Sequence, residues 1–226
     1  MIKDLVTVKR SKRAKRVALR LDPVERVINL VVPQKMPIEK AYFFAKEHEN
    51  WVRETLDNLA PPIPFKHGTA LPIFGDEILL DIQYDPKLKR TSLKQYDDVL
   101  VVKTYQDDPT NRITTHLKKI ARNGLADIAS EKADIINKTI SKITIRDTKS
   151  RWGSCSQDGK ISLSWRLIFA PYAAADYVVA HEVAHLMHMD HSKDFWNLCR
   201  SLCQNFEEGK YWMHNHGNEL MRYGKH

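Results

Sequence analysis

The sequence predicts an α+β protein in two parts: a β-rich N-terminal domain over 1–108 containing one helix, and a mixed helix and strand domain over 109–226. Three observations carry this expectation. Short β-branched or alternating runs dominate the first hundred residues. A single stretch among them, 37–59, repeats its apolar residues at helical spacing. After Asp107-Asp108-Pro109 the pattern turns helical over 110–132, and strand, turn, strand and further helices follow. With 226 residues, 42% hydrophobic and 28% charged, the chain is long enough to bury one large core or two modest ones.

In the first part, 5–8, 16–21 and 26–32 read as strands, with Asp22-Pro23 as turn residues. Between the first two lie Lys9, Arg10, Lys12, Arg13, Lys15 and Arg16, flanked by Val6 and Val8 before and by Val17, Leu19 and Leu21 after. That alternation predicts a basic hairpin. Its charge is either a solvated turn or an electrostatic footprint for nucleic acid. In 37–59, Phe43, Phe44, Trp51, Val52, Leu56 and Leu59 fall at helical spacing, and Ala60-Pro61-Pro62 ends the helix. Strands resume at 71–74, 77–84, 91–95 and 99–105, punctuated by Gly75-Asp76 and Asp97-Asp98.

In the second part, 143–146 is a short β-branched strand and 151–159 a glycine-punctuated connection. Residues 160–168 alternate again, and Pro171 opens a helix. Ser192 caps a further helix with Asp194 in its first turn, and Leu198, Leu202 and Phe206 supply its buried side.

Cys155, Cys199 and Cys203 are odd in number and lack C-x-x-C spacing, which suits reduced thiols of a cytoplasmic protein. Cys199 and Cys203, one helical turn apart, read as core residues or as auxiliary metal ligands. No run approaches the roughly 18 apolar residues of a membrane span, and the charged start Met1-Ile2-Lys3-Asp4 is unlike a secretory signal. The net charge of +8 favours anionic partners.

Seven of the ten histidines follow residue 180, so histidine chemistry belongs to the C-terminal part. His181-Glu182-Val183-Ala184-His185 places two imidazoles one helical turn apart, about 6 Å along the axis, on one stripe. Glu182 leans to the same side, where it reaches a water that the histidines' metal would hold. This is the pattern of a zinc hydrolase with the glutamate as general base.

A catalytic zinc takes three protein ligands and keeps one position open. His188 continues the stripe, but three ligands in line on one straight helix fit tetrahedral geometry poorly. His191 is better placed if the helix ends near Met189-Asp190 and the chain turns back. Glu207 or Glu208 from a following helix, and His214 or His216, are further options.

The text Lys149-Ser150-Arg151-Trp152-Gly153-Ser154-Cys155-Ser156, then Ile161-Ser162-Leu163-Ser164-Trp165-Arg166-Leu167, Ala170-Pro171, 177–186 and His191-Ser192-Lys193-Asp194-Phe195-Trp196 resembles the YgjP-like metal-dependent hydrolases, relatives of the SprT and WLM metallopeptidases among the zincins. The matching motifs span roughly 143–200. Ser164 stands where that family commonly has Asn, and Val183 where Leu is usual. The resemblance implies a zincin-like C-terminal domain, a small sheet plus an active-site helix. It implies zinc ligands at His181, His185 and His191, Glu182 as general base, and Arg151 and Trp152 beside the site.

The expected activity is metal-assisted hydrolysis of a peptide bond. In it Glu182 moves the proton, Arg151 steadies the developing oxyanion, and the substrate lies along 160–167 as an added strand. Trp152 and Trp165 read as core. A nucleotide phosphoanhydride would suit the same metal water and the basic composition, and a protease docked on DNA through the basic hairpin is a third reading. Three histidines also accept nickel, cobalt or copper. A purely structural metal is disfavoured, because it would have no use for Glu182.

Overall fold

The computed structural model describes residues 1–22 and 25–224, which form two compact units, Met1–Pro61 and Pro62–His226. The expected turn at Asp22-Pro23 lies partly outside the described residues.

The first unit opens with one helical turn, α1 (Ile2–Leu5), and a three-stranded sheet of β1 (Val6–Ser11), β2 (Ala18–Asp22) and β3 (Val27–Pro33). The order is β1-β3-β2, with β1 parallel and β2 antiparallel to the central β3. The basic run is therefore not a hairpin tip. It crosses from one edge of the sheet to the other, because the apolar β3 claims the pairing edges of both neighbours. Arg10 donates to the carbonyls of Pro33, Gln34 and Met36, and Lys9 pairs with Asp22, so two of the six bases hold the unit together. Lys12, Arg13, Lys15 and Arg16 are exposed.

Where one helix was expected, the unit has two besides α1: α2 (Ile38–Glu47) and α3 (Glu49–Asp57). The break falls at His48, whose ring nitrogen bonds the Phe44 carbonyl at 2.9 Å. The break turns Ala41, Ala45 and Val52 all onto the core of Ile28, Leu30 and Val32 and leaves Phe43 and Trp51 exposed.

The second unit begins with β4 (Ala70–Ile73), β5 (Asp76–Tyr84), β6 (Ser92–Tyr96) and β7 (Val99–Thr104), in the order β4-β5-β7-β6. Ile73 pairs with Asp76, so the tight turn is Phe74-Gly75 rather than Gly75-Asp76, and both residues take positive φ. The 26-residue α4 (Thr110–Ile135) follows. Leu71, Leu80, Leu100 and Val102 of this sheet share one core with Ile113, Leu117 and Leu125 of α4. The expected boundary at 108/109 thus falls inside the second unit, and Asp107-Asp108-Pro109 is a connection within it.

Next come β8 (Lys142–Arg146), β9 (Gly153–Cys155) and β10 (Lys160–Ser164), then a 3₁₀ segment (Trp165–Phe169) that stops the strand earlier than its alternation suggests. The sheet order is β8-β10-β9, with β10 parallel to β8 and antiparallel to β9. The strand 160–167 expected to present a free edge is therefore central, and β9 is an edge. The helices α5 (Tyr172–Ala184), α6 (Lys193–Leu202) and α7 (Phe206–His216) follow, and a 3₁₀ segment (Gly217–Arg222) comes after α7. α5 is buried on nearly all sides. α7 packs so closely on it that a Cβ at Gly209 would stand 2.7 Å from the Tyr177 Cβ. Lys132 of α4, itself buried, pairs with Asp176 of α5 at 2.6 Å and donates to the Leu202 carbonyl at the end of α6, fixing the helix from both sides. Among the described residues no helix is long and apolar enough to cross a membrane.

Candidate active site

α5 carries His181 and Glu182 in its last turn, and His185 is its C-cap. The chain then leaves the helix axis through tight turns, with Leu186 and Met187 donating to the Val183 and Ala184 carbonyls, three residues back. Asp190 accepts the Ser192 N–H at 3.1 Å, and the Ser192 hydroxyl accepts from the Phe195 N–H, which starts α6. This capped break returns His191 to the helix end.

The three imidazoles form a nearly equilateral triangle. Their ring centroids are 5.0 Å (His181 to His185), 5.0 Å (His181 to His191) and 4.9 Å (His185 to His191) apart. One ring nitrogen from each lies within 4.8 Å of the others. The Nε2 atoms of His181 and His191 face each other at 3.1 Å. Tetrahedral coordination at ordinary zinc–nitrogen lengths sets ligand nitrogens about 3.3 Å apart, so this pair already has nearly the spacing an ion requires.

Protonation supports the fit. Burial pushes His181 down to about 4, with His185 and His191 adding to the effect, and burial also lowers His185. Near pH 7 both rings are neutral and able to ligate. His185 Nδ1 sits 2.9 Å from the His188 carbonyl. A carbonyl only accepts, so Nδ1 carries the proton and Nε2 is left for the metal. His188 thus serves through its backbone rather than its ring. The buried Nδ1 of His181 has no protein hydrogen-bond partner.

Glu182 lines the same recess as the triad, with Arg151, Gly153, Ser154, Cys155 and Met189. Burial pushes its carboxyl up to about 7, and the Arg151 guanidinium offsets only part of that rise. Burial, with Glu182 and Asp158 adding, raises Cys155 to about 11, so at neutral pH it stands in the recess as a thiol.

The other third-ligand options lie elsewhere. Glu207 pairs with Arg200, and His216 with Glu219 at 2.9 Å. His214 lines a separate recess with Tyr177 and Tyr211, and Glu208 is exposed on α7. Cys199 and Cys203 pack in the core, both pushed by burial up to about 12. Among the described residues only His181, His185 and His191 form a group able to hold a metal ion. Trp165 is fully buried, and Trp152 is half-buried against the core.

Two contributors lie within the motif text without having stood out there. Phe195, fully buried, underlies the triangle, its ring 4.9, 4.6 and 4.8 Å from those of His181, His185 and His191. Gly153 lets β9 lie directly on the Glu182 carboxylate. The S/T-capped helix after His191 and the lone glycine in a strand-like run were the sequence signs available for them.

A family model described as the YgjP-like metallopeptidase domain matches residues 15–216. The chain belongs to the YgjP-like metallopeptidase family. Its membership takes in most of the first unit as well as the metal-site motifs. Among solved structures, this YgjP-like chain is similar to the metallopeptidase zymogen abylysin of Pyrococcus abyssi. The identity is 22% over 41% of this chain and 95% of that one, with a TM-score of 0.37. No curated protein matches the YgjP-like chain at a significant level.

Proposed function

We propose that this protein is a zinc-dependent peptidase. The observation that carries the reading is the triangle of imidazoles opening on the same recess as a buried carboxylate whose pKa is near neutrality. His181, His185 and His191 would hold the ion and leave one position open. Bound there, a divalent metal supplies an acidified water and a polarised carbonyl.

Glu182 acts as general base and then as general acid: its carboxylate takes the proton of the attacking water and returns it to the leaving nitrogen. A group titrating near 7 is suited to both transfers. Arg151, beside Glu182, biases the carboxylate toward its charged form and can steady an oxyanion. The edge strand β9, rather than β10, would align an extended substrate by strand addition, since Gly153 and Cys155 already line the recess. Phe195 keeps the underside of the triangle dry.

The testing experiment compares wild type and Glu182→Gln, both loaded with zinc, on unfolded protein and on nucleoside triphosphates. Peptide cleavage by wild type, lost in a variant with full metal content, supports the reading. Pyrophosphate release without peptide cleavage overturns it.

A further inference from the structure

Arg166 stands in the 3₁₀ segment that ends β10, with 4% of its surface exposed. A guanidinium is kept in such a place by what it bonds, because an uncompensated buried charge is costly. Its Nε donates to the Asp147 carboxylate at 3.1 Å. One terminal nitrogen donates to the Tyr223 carbonyl at 2.7 Å and to the Leu220 carbonyl at 3.3 Å. The guanidinium lies over the Trp165 ring, 4.7 Å from its centroid. The planar fork of arginine suits such a bridge, with donors pointing to separate acceptors. Its two ends lie far apart in the chain. Asp147 follows β8, whereas Leu220 and Tyr223 belong to the C-terminal segment.

That segment is itself anchored. The Ile63 N–H donates to the Arg222 carbonyl at 3.0 Å, and the Gly224 N–H donates to the Ile63 carbonyl at 2.9 Å. The Tyr223 ring stacks on Phe169 with centroids 4.0 Å apart. At its start, a Cβ on Gly217 would stand 3.2 Å from the Trp152 Nε1 and 3.4 Å from the Met213 Cε. The C-terminal segment thus reaches both flanks of residues 147–152, Asp147 through Arg166 and Trp152 through Gly217. Between those flanks runs the loop that serves the site. Ser164 holds its ends, pairing with Arg146 and donating its N–H to the Trp152 carbonyl at 2.8 Å. Within it the Thr148 hydroxyl donates to the Arg151 carbonyl at 2.6 Å, and Lys118 backs Asp147 at 3.8 Å. Arg151 lines the recess of the three histidines, and Gly153, next after the loop, abuts Glu182. The histidines come instead from α5 and the break after it.

We propose that Arg166 is a positioning residue: by clasping Asp147 to the C-terminal segment, it holds the 147–152 loop so that Arg151 and Gly153 meet Glu182. Its consequence for turnover rests on the peptidase reading above, whereas the clasp itself does not.

The test uses the full-length, zinc-loaded protein and compares Arg166→Gln, Asp147→Ala and Gly217→Val with wild type. Hydrogen exchange is followed by mass spectrometry. Amides 148–154 are expected to exchange about tenfold faster in each variant, the effect of losing one charge-assisted hydrogen bond, while those of 174–185 keep their rates. Zinc affinity, read by chelator competition, should stay at the wild-type value. On a peptide that wild type cleaves, kcat and kcat/KM should fall together by about ten- to a hundredfold with KM unchanged. The double variant Arg166→Gln/Asp147→Ala should be no worse than Arg166→Gln, because both substitutions remove the same link. Unchanged exchange at 148–154 in Asp147→Ala overturns the clasp. So does faster exchange that spreads equally to α5 with loss of zinc, the mark of a general loss of packing. A loosened loop with unchanged kcat overturns the positioning role. Asp147 is exposed, so its variant still decides the matter if Arg166→Gln fails to fold. If wild type cleaved no peptide while the exchange pattern held, the peptidase reading would fail and the clasp would stand.

Discussion

A Cβ on Gly153 would lie 2.5 Å from Cγ and 2.7 Å from Cδ of Glu182, so the edge strand and the carboxylate are in direct contact. Both obstructing atoms belong to a buried side chain with little room to retreat. Gly153→Ala is expected to retain zinc and the fold while lowering kcat by about 10²-fold, the effect of a displacement near 1 Å at a reacting group. Metal content and kcat measured on one preparation check this. Unchanged kcat would show that Glu182 moves aside freely.

Phe195 touches all three imidazoles, so its removal should be read in the metal rather than in the base. Phe195→Ala is expected to weaken zinc affinity by about 10–100-fold, the range for residues that orient ligands, with Phe195→Leu closer to wild type. Competition with a chromogenic chelator measures it. His191→Ala should weaken binding further.

Glu182 also makes the metal-free protein pH-dependent. Its native pKa is about 7 against an ordinary 4.5. Below 4.5 it is protonated in both states. Between 4.5 and 7 the native state keeps a proton that the unfolded chain gives up, so stability falls as pH rises and levels off above 7. The shift corresponds to about 3 kcal/mol. Urea unfolding of metal-free wild type and Glu182→Gln at pH 5 and pH 8 should show the variant gaining on wild type by an amount of that order. Parallel curves at both pH values would rule the shift out.

The buried Lys132–Asp176 pair braces the helix that presents the site. Asp176→Ala leaves an uncompensated ammonium and is expected to destabilise the protein by about 3–5 kcal/mol. The double variant Lys132→Met/Asp176→Leu should recover much of that loss. Chemical denaturation of the three proteins tests the coupling.

Zinc itself should stabilise the fold, by about 2.7 kcal/mol at a free concentration of one hundred times its Kd. A rise of Tm with zinc in wild type, much reduced in His191→Ala at the same concentration, is the expected thermal-shift result.

The cluster of three histidines was legible because its parts are local: helical spacing joins His181 to His185, and the Ser192 cap announces the turn that returns His191. The break at His48 was not legible, since an imidazole bonding its own helix has no periodic signature. The crossover of the basic run escaped for a related reason: alternation shows that β1 and β2 are strands but is silent about β3 lying between them. The joint at Asp107-Asp108-Pro109 looked like a domain boundary because turn chemistry is the same within a unit as between units. The contact of Gly153 with Glu182 is long-range, and a glycine in a short strand names no partner.

The three clustered histidines fall within eleven consecutive positions, 181–191, whereas Glu182 meets a strand nearly thirty residues upstream. Closing so short a loop carries little entropic penalty, and the wider contact carries more. The histidine cluster and the carboxylate beside it are thus separable inheritances: substitutions confined to β9 would disturb Glu182 and leave the three imidazoles where they are.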